Sequence, residues 1–212
     1  MATTSPSRTE RAALCDLLDA TGPDAPTLCE GWTTRDLAVH LVLREHDPVA
    51  APGILLGGPW RTLLVRATRR LEAVPYPDLV ARVRRGPPVV LAPLDPLVNV
   101  LELFVHHEDV RRGGGDTTPR PTDELVAVDD ALWRTLGSAG WLLTRRLGPV
   151  GLQVRRPDGT ARTLHRGSPT ATLTGAPGEL ALFLTGRQAA SHAVVGGPDD
   201  AARAVRTARF GL

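Results

Sequence analysis

The segment Leu97-Val-Asn-Val-Leu-Glu-Leu-Phe-Val-His-His-Glu-Asp-Val110 places Glu102 as the only charge between Leu97 and Val105, inside an otherwise apolar run. On a helix His106 stands ~40° around the axis from Glu102 and about 6 Å further along it. Asp109 continues that stripe three residues on, and Val98 and Val105 flank it, so the stripe is expected to face protein. A carboxylate buried there is costly unless it is paired or holds a cation. His107 and Glu108 point elsewhere around the helix and read as solvent-facing or as supports behind the stripe.

A second anomaly lies upstream. In Leu37-Ala-Val-His-Leu-Val-Leu43 the imidazole of His40 is alone among apolar side chains. His40, Glu102 and His106 together would supply two imidazoles and one carboxylate, leaving coordination positions for water or substrate. Such a set belongs to open, catalytic metal sites rather than closed structural ones. The bland readings are a satisfied core histidine at 40 and an ordinary surface pair at 102 and 106. His46, His165 and His192 have no helical partner at ligand spacing.

The order of elements sets a fold class. Helices are predicted over residues 6–20, from a Thr33 start through Leu43, and over 60–73, 78–85, 97–112 and 122–146. Thr33 and Asp36 are close to a capping box, with the acid in the positive first turn. Residues 48–59 read as a loop, and Pro87, Pro88, Pro93 and Pro96 as an extended connection. After Gly148-Pro149 the pattern changes to short strands over 150–155, 161–165 and 171–174, with Pro157-Asp-Gly159 as a hairpin turn. A helix over 178–185, a strand near 193–195 and a helix over 199–209 follow. The expected architecture is α+β: a helical domain over 1–147 and a small α+β domain over 148–212.

At 212 residues the chain can bury a substantial core. All 25 basic residues are arginine, which with abundant Ala, Gly and Pro reflects GC-rich coding of the actinobacterial kind. Net charge is +2 and no basic block is interleaved with aromatics, which argues against a nucleic-acid partner. The Arg69–Arg70, Arg111–Arg112 and Arg145–Arg146 pairs read as solvated helix ends. No run approaches the ~18 apolar residues of a membrane span. Cys15 and Cys29 lack CxxC spacing and no secretory signal is present, so a cytoplasmic protein with reduced thiols is expected. No phosphate-cradling loop or nucleophile elbow competes with the metal reading.

Gly31-Trp-Thr-Thr-Arg-Asp-Leu-Ala-Val-His40 resembles the signature of the mycothiol-dependent maleylpyruvate isomerase family, a branch of the DinB-like metal-binding bundles. Glu102-x-x-x-His106-x-x-Asp109 looks like that family's second ligand motif, and Leu184-Thr-Gly-Arg187 resembles the Gly-Arg element of its C-terminal domain. The nearest likeness is to an actinobacterial metal-binding subgroup. The resemblance implies a DinB-like four-helix bundle in the first domain and a divalent ion, usually zinc, on His40, Glu102 and His106. It also implies mycothiol as a co-substrate, with a small electrophile as the other partner. Arg187 can hold a substrate or cofactor carboxylate through its planar fork, or serve in an ordinary salt bridge. Trp32 reads as packing beside the ligand helix, and Cys29 as an inert buried thiol. A thiol transferase or isomerase and a non-catalytic metal- or thiol-binding protein need the same ligands, and sequence leaves both open. Oligomeric state is not legible.

Overall fold

The computed structural model describes residues 5–51, 53–54, 59–88 and 96–211. Its helices are α1 (Pro6–Thr21), α2 (Thr34–His46), α3 (Pro59–Glu72), α4 (Tyr76–Arg85), α5 (Pro96–Gly113), α6 (Thr122–Thr144), α7 (Pro177–Leu184) and α8 (Asp199–Thr207). Its strands are β1 (Gly151–Arg155), β2 (Ala161–His165), β3 (Thr170–Thr174) and β4 (Val194–Gly196). The class is α+β, and the elements match those predicted to within about three residues at each end. Residues 89–95, including Pro93, and the side chain of Val98 lie outside the described residues, as does part of the expected 48–59 loop.

The chain falls into two compact units, Met1–Asn99 with His106–Asp116, and Val100–Val105 with Thr117–Leu212. The boundary expected near residue 147 falls inside the second unit, because α6 shares a core with the sheet. Trp133, Leu136 and Leu143 of α6 are buried in one cluster with Leu152, Val154, Leu164 and Leu173.

In the first unit the capping box at the start of α2 is complete: Thr33 N–H donates to Asp36 Oδ2 at 2.8 Å and Asp36 N–H to Thr33 Oγ1 at 3.4 Å. Such a cap stabilises a helix by about 1 kcal/mol and fixes where α2 begins, and hence which face carries His40. Leu37 and Leu41 are fully buried, together with Leu14 and Leu18 of α1 and Leu79 and Val83 of α4. Each such side chain contributes about 1.5–3 kcal/mol by leaving water. Arg11 of α1 threads this packing: it pairs bidentately with Glu45 of α2 and donates to the Val83 carbonyl at 2.8 Å.

Cys15 is fully buried in the same core. Loss of water around the thiolate pushes its pKa from 9.0 to about 11. At pH 8 a thiol reagent is therefore expected to modify the partly buried Cys29 in native protein and to reach Cys15 only on unfolding. Equal native labelling rates, read by mass spectrometry, would contradict this packing.

In the second unit the sheet order is β2-β1-β3-β4, with β1 and β3 parallel and the outer pairs antiparallel. The expected hairpin forms between β1 and β2. Gly159 adopts φ +88°, and Asp158 Oδ1 accepts the Thr160 N–H at 2.8 Å. Helix α7 has no side-chain cap of its own, and Asp129 of α6 supplies one by accepting the Gly178 N–H at 3.0 Å. Burial holds the Asp129 carboxyl above its ordinary pKa in spite of that bond.

Candidate metal centre

Helix α2 presents His40 at the end of a run in which Leu37, Ala38 and Val39 are buried. Glu102 and His106 stand one turn apart on α5. The ring centroids of His40 and His106 lie 5.1 Å apart, nearly edge to face at 71°. One ligand atom from each of His40, Glu102 and His106 can be chosen so that all lie within 4.8 Å of one another. Metal–nitrogen and metal–oxygen bonds of ~2 Å span such separations with small adjustments of side-chain torsion. His106 is buried, whereas His40 and Glu102 keep part of their surface exposed. The donor set, two imidazoles and one carboxylate, fits a borderline divalent cation such as zinc.

The surroundings differ from the sequence expectation at the Arg111–Arg112 pair and at Trp32, and narrow it at two further residues. Of the two places sequence leaves for His107 and Glu108, solvent-facing or supporting, their 7% and 1% exposure selects the second. His107 Nδ1 bonds Glu10 Oε1 of α1 at 2.8 Å, and Glu108 accepts from Arg111 and Arg112. The Arg111–Arg112 pair is accordingly no solvated helix end: Arg112 is 1% exposed and held against that carboxylate. Trp32 is 38% exposed, and its ring lies 5.4 Å from that of His40, at the side of the ligand itself.

Asp109, whose role sequence left open, is fully buried. Its Oδ2 lies 2.9 Å from His106 Nδ1 and accepts from Cys29 Sγ at 3.2 Å. Close backbone approach brings Cys29 there. Leu28 N–H donates to the Asp109 carbonyl at 3.0 Å, and a Cβ on Gly113 would sit 2.2 Å from the Pro26 carbonyl oxygen. Only glycine at 113 lets the 26–29 segment lie so near α5. The motif reading found Asp109 but had no signal for its thiol partner, 80 residues away.

Arg187 follows α7 in the second unit, where Gly186 turns the chain at φ +91°. Its Nη1 donates to the Thr185 carbonyl at 2.6 Å, and its own N–H to the Leu182 carbonyl at 2.9 Å. No described helix is long and apolar enough to cross a membrane.

Residues 5–52 match the profile of the Mycothiol maleylpyruvate isomerase N-terminal domain, the stretch that holds α1, α2 and His40. Among curated proteins none matches the sequence. Among solved structures, the chain is similar to that described as the crystal structure of the mycothiol-dependent maleylpyruvate isomerase. The TM-score is 0.56 at 15% identity, and the match covers 92% of each chain. Residues 5–52 thus carry the sequence pattern of that N-terminal domain, and the chain shares its fold with that solved structure over nine-tenths of its length.

Proposed function

We propose that the protein is a metal-dependent enzyme of the mycothiol-dependent maleylpyruvate isomerase type, which transfers a low-molecular-weight thiol to a small electrophile or isomerises it. The observation that carries this reading is the approach of two imidazoles and one carboxylate, with His40 and Glu102 still partly exposed to an incoming ligand. His40, Glu102 and His106 would hold the ion, zinc by preference. The ion supplies Lewis acidity, which lowers the pKa of a coordinated thiol from its ordinary ~8.5 so that it is nucleophilic at neutral pH. Trp32 stands beside the His40 ring, with the two centroids 5.4 Å apart. Arg187 is the group assigned to an anionic end of the thiol or substrate, because a guanidinium matches a carboxylate as a planar fork. A reducing cytoplasm suits the work, and neither Cys15 nor Cys29 is in a disulfide.

The test is calorimetric titration of zinc-loaded protein with mycothiol, followed by a conjugation screen against small electrophiles. Saturable thiol binding and turnover are expected. Replacing Arg187 by alanine should weaken thiol or substrate binding by about 10–100-fold, the loss of a charge-assisted pair worth ~1.5–3 kcal/mol, with zinc content unchanged. Binding without turnover would identify a metal- or thiol-binding accessory protein. No thiol binding to the loaded protein would refute the thiol assignment altogether.

A further inference from the structure

A fully buried carboxylate on the ligand helix needs a reason, since an unpaired one is expensive. Asp109 Oδ2 sits 2.9 Å from His106 Nδ1 and 3.2 Å from Cys29 Sγ, and these three residues could be read as a second cation site. Magnitudes decide against that. Two ~2 Å bonds at a tetrahedral angle put ligand atoms about 3.3 Å apart, whereas 2.9 Å is an ordinary N–H···O hydrogen bond. The sulfur–oxygen distance is likewise that of a thiol donating to a carboxylate. An imidazole that gives Nδ1–H to a carboxylate has only Nε2 left to offer a cation.

We propose that Asp109 is the positioning residue of the His40–Glu102–His106 set: it fixes His106 as the Nδ1–H tautomer and presents Nε2 as the ligand atom, while Cys29 braces the same carboxylate oxygen. This rests on the metal reading above. The assignment has a physical consequence in the metal-free protein. A free neutral imidazole rotates and exchanges between tautomers, but the buried charge of Asp109 holds both orientation and proton in place before any cation arrives. A ligand so oriented loses less freedom on binding. Cys29 completes the arrangement from outside α5. Its segment is pinned by the Leu28–Asp109 backbone bond and by the close approach at Gly113. The carboxylate thus has a second donor that does not compete for the cation.

Two measurements on the full chain test this. The first is long-range proton–nitrogen NMR of histidine-labelled, metal-free protein at pH 8. Wild type should show His106 protonated at Nδ1, and Asp109→Ala should move the proton to Nε2 or to a mixture. The second is zinc affinity by chelator competition, with folding checked by circular dichroism. Asp109→Ala should weaken zinc binding about 10–100-fold, and Cys29→Ala should change it by less than about threefold with the tautomer unchanged. If Asp109→Ala does not fold, Asp109→Asn keeps the shape and removes the charge, and should still bind zinc about tenfold more weakly. A carboxylate that serves only the fold predicts an unchanged His106 tautomer and unchanged zinc affinity in the variants that fold, and that result overturns the proposal. If wild type binds no zinc, the metal reading fails, and the NMR arm still decides what Asp109 does to His106.

Discussion

Alanine at His40, Glu102 or His106 is expected to weaken zinc binding by far more than the ~10–100-fold that a supporting residue behind a ligand controls. Purified wild-type protein should carry about one divalent ion per chain, and each variant should lose it on dialysis against a weak chelator. The expectation follows from ligand number. With three protein donors within 4.8 Å, removal of one leaves two, too few to hold an ion that water solvates well. A second readout is independent of any reaction. A cation that binds only the folded state stabilises it by about 2.7 kcal/mol at a hundred times its dissociation constant. Zinc should therefore raise the melting temperature of wild type, and the three variants should show almost none of that rise. Full metal occupancy in all three would remove the centre from the reading, while leaving the fold intact. Glu102→Gln adds a finer arm. It keeps the size and an oxygen donor but not the charge, so retained tight binding would mean that the two imidazoles alone dominate.

How much of this was legible beforehand depended on whether the physics was local. The limits of α2 follow from Thr33 and Asp36, three residues apart, and the β1–β2 hairpin from Gly159, and both are where the sequence puts them. His40 and Glu102 were readable because each breaks the apolarity of its own helix, an anomaly that local pattern exposes, and His106 because it stands four residues from Glu102. Buried charges in polar surroundings were not readable. Glu10, Arg11, Glu45, Glu108 and Arg112 look in sequence like ordinary charges on helix surfaces, yet all are buried. Their partners lie on other helices or on a crowded face of the same one, and no periodicity records that. Sequence leaves His107 open between solvent and a supporting place for this reason, since its partner Glu10 is 97 residues distant. The grouping of α6 with the sheet was hidden in the same way. Its Leu125, Val128, Leu132, Leu136 and Leu143 stripe announces a buried face, but not whether helices or strands will cover it. The parallel pairing of β1 with β3 around an intervening hairpin strand also depends on long-range contact rather than on strand chemistry.

The largest loss of stability is expected from Glu45→Ala. Glu45 and Arg11 are 5% and 9% exposed and form two short bonds, Nη1 to Oε2 at 2.7 Å and Nη2 to Oε1 at 2.6 Å. Arg11 also donates to the Val83 carbonyl in the last turn of α4, where the helix dipole favours a cation. One guanidinium thus joins α1, α2 and α4 at a point largely closed to water. Removing the carboxylate leaves that charge with only the Val83 carbonyl as a partner among the described residues, and breaking a buried pair from one side costs about 3–5 kcal/mol. Trp32 and Trp60 lie in the first unit and Trp133 and Trp141 in the second, so bulk fluorescence mixes the two. Hydrogen exchange of α1, α2 and α4 amides reads the right unit, and their protection should fall by two to three orders of magnitude, at ~1.4 kcal/mol per tenfold. The double replacement Arg11→Met with Glu45→Leu separates the cost of a stranded charge from the worth of the pair. Hydrophobic substitutes of similar volume for both partners are commonly neutral or stabilising, so the double variant should recover most of the lost protection. If Glu45→Ala alone costs less than about 1 kcal/mol, Arg11 has found water, and the closed packing of α1, α2 and α4 around it is wrong.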